Sequence, residues 1–215
     1  SKLQRRTRHL TDDLFPAFGK ALSTMRVEST NANYADFVEL LVRTGLRRSE
    51  ASGLRWEDIS LSNQTLTVHD TKNHKSHTLP LSHQLQAMLK RRHGMAEDDV
   101  VFPLCVDPRK SFERLSRLIG TDISAHDLRR TFATVADACD LSGYTIKRLL
   151  NHAMGTDVTA GYIVSDVSRL RTAMQRISDS IDQLMAETHA PSANSAKKDK
   201  PDSGTIPLAL ISTLS

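Results

Sequence analysis

Cysteine is nearly absent from this 215-residue chain, which holds only Cys105 and Cys139. Two thiols without close spacing argue against a disulfide framework and predict a reduced, cytoplasmic protein. No apolar run approaches the roughly 20 residues of a membrane span, and no signal peptide opens the chain. The sequence therefore predicts no membrane partner. Metal-site patterns are lacking as well. Nine histidines are present, but neither His74 with His77 nor His126 with His152 has the companion cysteines or carboxylates of a metal site. No metal and no other cofactor is expected.

What remains is the balance of a globular protein, with 39% hydrophobic and 25% charged residues. The net charge is +4, too small to identify a partner by itself. Its distribution says more. Arginines cluster at Arg5, Arg6 and Arg8, at Arg47 and Arg48, at Arg91 and Arg92, and at Arg129 and Arg130. Folding can turn such clusters into phosphate-facing patches, or leave them as a solvated surface. Ser1 in place of Met, with charged amphipathic sequence from the start, predicts a further N-terminal DNA-binding domain ahead of residue 1. Residues 1–187 read as one catalytic-size domain. Residues 188–215 read as a tail, rich in Ala, Ser, Lys, Pro and Asp, with a short apolar end.

Periodicity divides the domain. Residues 11–26 read as a helix capped by Thr11, with Leu14, Phe18, Leu22 and Met25 on one face. A second helix over residues 31–44 stops at Gly45, and a short third covers residues 48–54. The period then changes to two. Residues 65–68 and 78–81 predict strands around a polar hairpin, residues 70–76, with Pro80 at an edge. Residues 100–102 are the expected third short strand. Helices follow over residues 82–92, 109–119, 125–138, 145–151 and 165–187. The last carries Val167, Leu170, Met174, Ile177, Ile181 and Leu184, a narrow seam suited to docking on another helix, in its own domain or in a partner.

Four segments hold the reactive side chains. In Thr44-Gly45-Leu46-Arg47-Arg48-Ser49-Glu50, a glycine turn presents Arg47, and Glu50 lies three residues on, in reach of a guanidinium. The hairpin Asp70-Thr71-Lys72-Asn73-His74-Lys75 puts lysines on a turn, a placement that solubility alone also produces. In His126-Asp127-Leu128-Arg129-Arg130, His126 and Arg129 share a helix face, and Ser124 is placed to cap that helix. Arg130 points away from that face. Finally, His152 follows Leu149-Leu150-Asn151, and Tyr162 closes Thr159-Ala160-Gly161-Tyr162. A tyrosine is more often a core or interface aromatic than a nucleophile. Among the three tyrosines, only Tyr162 follows a histidine closely and precedes the terminal helix.

Taken in order, Arg47 with Glu50, Lys72, His126-x-x-Arg129, His152 and Tyr162 resemble the active-site signature of the tyrosine recombinase (phage integrase) family. The resemblance covers roughly residues 11–181. It implies an α+β, mainly α-helical catalytic fold with a small antiparallel sheet of about three strands. It further implies an enzyme, a site-specific DNA recombinase acting through a 3′-phosphotyrosine. Arg47 and Arg129 would then clamp the scissile phosphate, Tyr162 attack it, and Lys72 protonate the leaving oxygen. His126 would assist proton transfer, His152 hydrogen-bond the phosphate, and Glu50 hold the network in place. Arg48, Lys75 and Arg130 would contact DNA. The implied partners are double-stranded DNA at a specific site and further copies of the chain, a tetramer on DNA and a monomer or dimer without it. The segment after the tyrosine would dock on a neighbouring protomer, and the protein would work at the bacterial nucleoid on a mobile element.

Two features depart from the family pattern. Asn151 stands where the family usually has Gly, and the ten-residue interval from His152 to Tyr162 is one longer than the commonest spacing. Gly155 can absorb the extra residue. The longer interval predicts that Tyr162 rests outside the pocket until DNA and a neighbouring protomer arrive. Two other readings stay open: a non-catalytic helix-turn-helix regulator, from Leu141-Ser142-Gly143-Tyr144 between helices, and a type IB topoisomerase-like enzyme.

Overall fold

A computed structural model describes residues 8–29, 31–69, 76–103, 105, 107–152 and 167–187 of the chain. The central element is α2 (Ala32–Thr44). Ala35, Phe37, Val38, Leu40, Leu41 and Val42 are buried, and so are Asp36, Arg43 and Thr44, so neighbouring elements cover this helix nearly all round. α1 (Phe15–Val27) packs along it through Phe18, Ala21, Leu22 and Met25. A 3-10 turn, Asp12–Leu14, leads into α1. Thr11 does not cap it with its side chain; its hydroxyl bonds Asp13 instead, at 2.6 Å. α3 (Arg48–Ser52) follows α2 after Gly45.

The sheet is antiparallel, in the order β1 (Ile59–Ser60), β2 (Thr65–Val68), β3 (His77–Pro80). Val68 faces His77 across the base of the hairpin, and Thr65 faces Pro80. Pro80 lies on the edge strand, where its missing N–H costs no ladder bond. The third strand is Ile59–Ser60 rather than the expected residues 100–102. Val100 makes only an isolated bridge with Arg55. Val101 and Phe102 are fully buried, their hydrophobicity being that of a core plug.

α4 (His83–His93) and α5 (Arg109–Ile119) come next, then α6 (Ala125–Ala138), α7 (Gly143–Leu149) and α8 (Val167–Ala186). The N-caps of α4, α6 and α7 are Ser82, Ser124 and Ser142, each accepting a backbone N–H three residues on. α8 packs on α1, α2 and α6. Ala173, Met174, Ile177 and Ile181 are buried there, at about 1.5–3 kcal/mol for each large side chain. Arg43, also buried, reaches from α2 to Asp182 and to the Ser178 carbonyl of α8. Of the expected docking seam, Met174, Ile177 and Ile181 are thus buried within their own domain, and Leu170 and Leu184 are half-buried. Among the described residues, no helix is long and apolar enough to cross a membrane.

Candidate functional site

The turn after α2 is built around Gly45, whose φ of +65° ends the helix in the left-handed region. A side chain would be excluded there on a second ground. A Cβ at Gly45 would lie 2.7 Å from both Leu150 Cδ2 and Phe132 Cδ1. The turn is therefore pressed against α6 and the end of α7. Two residues later Arg47 occupies the extended N-cap position of α3. Glu50 accepts from the Arg47 backbone N–H at 2.8 Å and from its guanidinium at 2.7 Å. The carboxylate is buried, with 4% of its side chain exposed, while Arg47 keeps 30%. Glu50 thus fixes both the backbone and the head group of an arginine that still meets solvent.

α6 begins with a reciprocal cap: Ser124 accepts from the Asp127 N–H, and Asp127 accepts from the Ser124 N–H at 3.0 Å. This start puts His126 in the first turn, exposed, and Arg129 one turn on along the same face. Arg129 donates Nη2–H to the Leu150 carbonyl at 2.6 Å and Nη1–H to the Gly45 carbonyl. Burial, and then the positive charge of Arg47, push Arg129 down to about 10, with Glu50 opposing. At neutral pH it is still a cation, by about a thousand to one. Arg130 leans back toward Asp127, at 3.7 Å.

The end of α7 explains Asn151. Its φ is +48°, the left-handed conformation that follows many helices and that Asn tolerates best after Gly. Asn151 N–H bonds the Arg148 carbonyl at 3.2 Å, and His152 N–H bonds the Lys147 carbonyl at 3.0 Å. This is the Schellman pattern of helix termination. The substitution of Asn for Gly leaves the turn intact. It delivers His152, exposed, into the field of the two arginines. Partial burial, then the charges of Arg129, Arg47 and Lys147, push the His152 imidazole below its ordinary value, toward the neutral form.

An open groove of about 1560 Å³ runs away from these groups. Arg47, Arg48, His126 and Arg129 line one end; Arg8, Arg109 and Arg117 line it further along, beside α5. Among the described residues the lining holds six arginines against four carboxylates. Asp107 and Asp122 are themselves paired with Arg109 and Arg8. The groove is therefore a cationic channel lined by the guanidiniums of Arg47 and Arg129 and the imidazole of His126, suited chemically to an oxyanion on a larger polyanion. Burial pushes the Cys105 thiol up to about 12, away from the nucleophilic thiolate.

Of the residues singled out by sequence, the fold brings Arg47, Glu50, Arg48, His126, Arg129 and His152 together, with Arg130 beside them. Lys72, Lys75 and Tyr162 lie outside the described residues, as does the tail, residues 188–215. One histidine went unnoticed in the sequence for this site: His77, whose Nε2 lies 3.0 Å from the Leu149 carbonyl. Its signal was there. In a period-two strand His77 shares the inward face with Leu79, an unusual place for a lone imidazole.

The phage integrase family model matches residues 9–169. Among curated proteins, the chain is similar to the tyrosine recombinase XerA of Saccharolobus solfataricus, 31% identical over 117 residues, covering 54% of this chain and 40% of the relative. It is likewise similar to the XerA of Pyrococcus furiosus, 31% identical over 151 residues, covering 65% and 52%. The chain thus spans about half the length of these curated relatives. Among solved structures, the XerH site-specific recombinase bound to its difH substrate shares the fold, with a TM-score of 0.56 at 20% identity over 80% of this chain and 51% of that one.

Proposed function

The chain belongs to the phage integrase family, and on that premise we propose that it is the catalytic domain of a site-specific DNA recombinase that cuts and rejoins strands through a 3′-phosphotyrosine. The observation that carries this reading is the head of the groove. Two arginines reach it from different helices, each fixed by a separate partner, and their charges help keep the His152 imidazole toward neutrality. Planar guanidiniums suit the non-bridging oxygens of a phosphodiester, whose charge grows as the phosphorane forms. Arg129 has five N–H donors; two go to carbonyls that lock its plane, and others can face the phosphate.

In the proposed reaction the Tyr162 oxygen attacks the scissile phosphorus in line, losing its proton with help from His126. The bond to the 5′-oxygen breaks, and Lys72 protonates that leaving oxygen. His152, as a near-neutral imidazole, donates a hydrogen bond to the phosphate. Rejoining is the reverse: a 5′-hydroxyl attacks the phosphotyrosine and Tyr162 leaves. The ester conserves the bond energy, so this chemistry calls for no metal or nucleotide. Arg48, Lys75 and Arg130 hold the flanking DNA backbone. Exchange of two duplexes calls for a tetramer on DNA, and the tail after residue 187 is the segment proposed to bridge protomers. Acting on the DNA of a mobile element, the protein would work at the bacterial nucleoid.

The test is a covalent trap. Full-length protein is incubated with a nicked suicide duplex carrying the junction at which its element recombines. The expected result is a covalent protein–DNA adduct that Tyr162→Phe abolishes. An adduct that survives the phenylalanine substitution would mean a different nucleophile. Tight specific binding with no adduct would favour a regulator instead.

A further inference from the structure

The carbonyls that end α7 can be accounted for one by one, and two of them are held from outside the helix. Ile146 and Arg148 carbonyls accept from Leu150 and Asn151, and the Lys147 carbonyl accepts from His152. A helix end leaves its last carbonyls without intrahelical donors; among the described residues those are Leu149 and Leu150. Leu150 is taken by Arg129, from α6. Leu149 is taken by His77, from β3. Since a carbonyl only accepts, Nε2 of His77 is the protonated nitrogen.

The turn that presents His152 is therefore pegged on successive carbonyls by two residues from two different elements. One is Arg129, placed at the phosphate in the reading above. The other has no role in that reading. His77 is half-buried, and its burial pushes the imidazole toward the neutral form, which suits a hydrogen-bond donor that need not carry charge. If the Leu149 carbonyl were released, the turn would lose the one peg that reaches it from the sheet among the described residues, and Arg129 would carry more of its positioning.

Resting on the recombinase reading, we propose that His77 is a positioning residue. By holding the Leu149 carbonyl it sets the end of α7, and so places His152 and Arg129 relative to Arg47. His77 does not touch the phosphate; it acts through the turn. The consequence is a division between binding and rate. Loss of the peg leaves the arginine-lined groove intact but loosens the groups aimed at the reacting phosphate.

Two substitutions separate the hydrogen bond from mere bulk. In Gln, as in His, the donor nitrogen is three bonds from Cβ; in Asn it is two and falls short of Leu149. In free protein, ring ¹⁵N shifts should show His77 as the Nε2–H tautomer. Amide exchange at Asn151 and His152 should rise about tenfold in His77→Asn and return to within about threefold of wild type in His77→Gln. With the full-length protein on a nicked suicide duplex, His77→Asn should slow adduct formation about tenfold at unchanged DNA affinity, and His77→Gln should restore the rate. The proposal is overturned if His77→Asn leaves amide exchange unchanged, if the loss appears in DNA affinity instead of rate, or if His77→Gln fails to restore protection. It is also overturned if the loss follows only the folded fraction, as read by thermal melting. Should the wild type form no adduct at all, the recombinase reading fails, while the exchange data still decide whether His77 sets the turn.

Discussion

Gly45 and Gly120 offer a controlled pair of perturbations. Both have left-handed backbones, φ +65° and φ +76°, so an alanine at either forfeits about 1–2 kcal/mol through Cβ–carbonyl crowding. Their surroundings differ completely. Around Gly120 a Cβ meets nothing within 4 Å, whereas at Gly45 it meets Leu150 Cδ2 and Phe132 Cδ1 at 2.7 Å, with Phe132 Cγ at 2.9 Å. Leu150 can yield at its tip. The Phe132 ring is fully buried and cannot swing away without disturbing the core, so an overpacking cost of about 1–3 kcal/mol is added. Gly120→Ala should then cost about 1–2 kcal/mol and Gly45→Ala about 2–5 kcal/mol. For a chain of this size that corresponds to a fall in Tm of about 2–8 °C against about 4–20 °C. Gly45→Ala should also impair adduct formation, because the Gly45 and Leu150 carbonyls are the two that hold Arg129. Urea denaturation and calorimetry of the two variants measure the difference. Equal losses of stability would refute the argument that the α2–α3 turn is pressed against Phe132 and Leu150.

Asn151→Gly should fold at least as well as wild type, since it removes the Cβ from a left-handed residue, while Asn151→Val should cost about 1–2 kcal/mol by chemical denaturation; a neutral valine would mean the turn is not left-handed. Arg43→Ala should be among the costly changes, about 2–5 kcal/mol, because it opens a gap at a buried side chain and takes from Glu39 one of its two arginines, Arg26 remaining; a loss below about 1 kcal/mol would contradict that placement. Stability should also fall on mild acidification. His77 and His152 both titrate below the ordinary 6.5 when folded, so the unfolded chain binds more protons, and stability rises with pH. Their contribution is intact above 6.5 and is lost as pH falls from 6.5 through their folded values. Urea midpoints at pH 7.5 and 5.5 should differ less in the His77→Gln, His152→Gln double variant than in wild type; an equal difference would assign the effect elsewhere.

What the sequence determined by itself was local. Ser82, Ser124 and Ser142 cap helices because a serine hydroxyl reaches an N–H three residues ahead, and Gly45 stops α2 because few other residues accept its backbone angles. The Arg47–Glu50 pair and the shared face of His126 and Arg129 lie within a single helical turn, so their spacing alone implied them. The order of the candidate residues that resembles the family signature was legible as a pattern along the chain, and the family model matches residues 9–169. Tertiary structure decided whatever joins distant residues. Residues 100–102 have the hydrophobicity of a strand, and only packing shows that they fill the core while Ile59–Ser60 completes the sheet. The α8 seam is equally suited to a partner and to its own domain, and only packing shows that Met174, Ile177 and Ile181 are covered by its own domain. Arg129 finds its carbonyls 84 and 21 residues away, and His77 finds Leu149 across 72 residues. No periodicity encodes such contacts, because they depend on how separate elements stack, and it is they that aim the head of the groove.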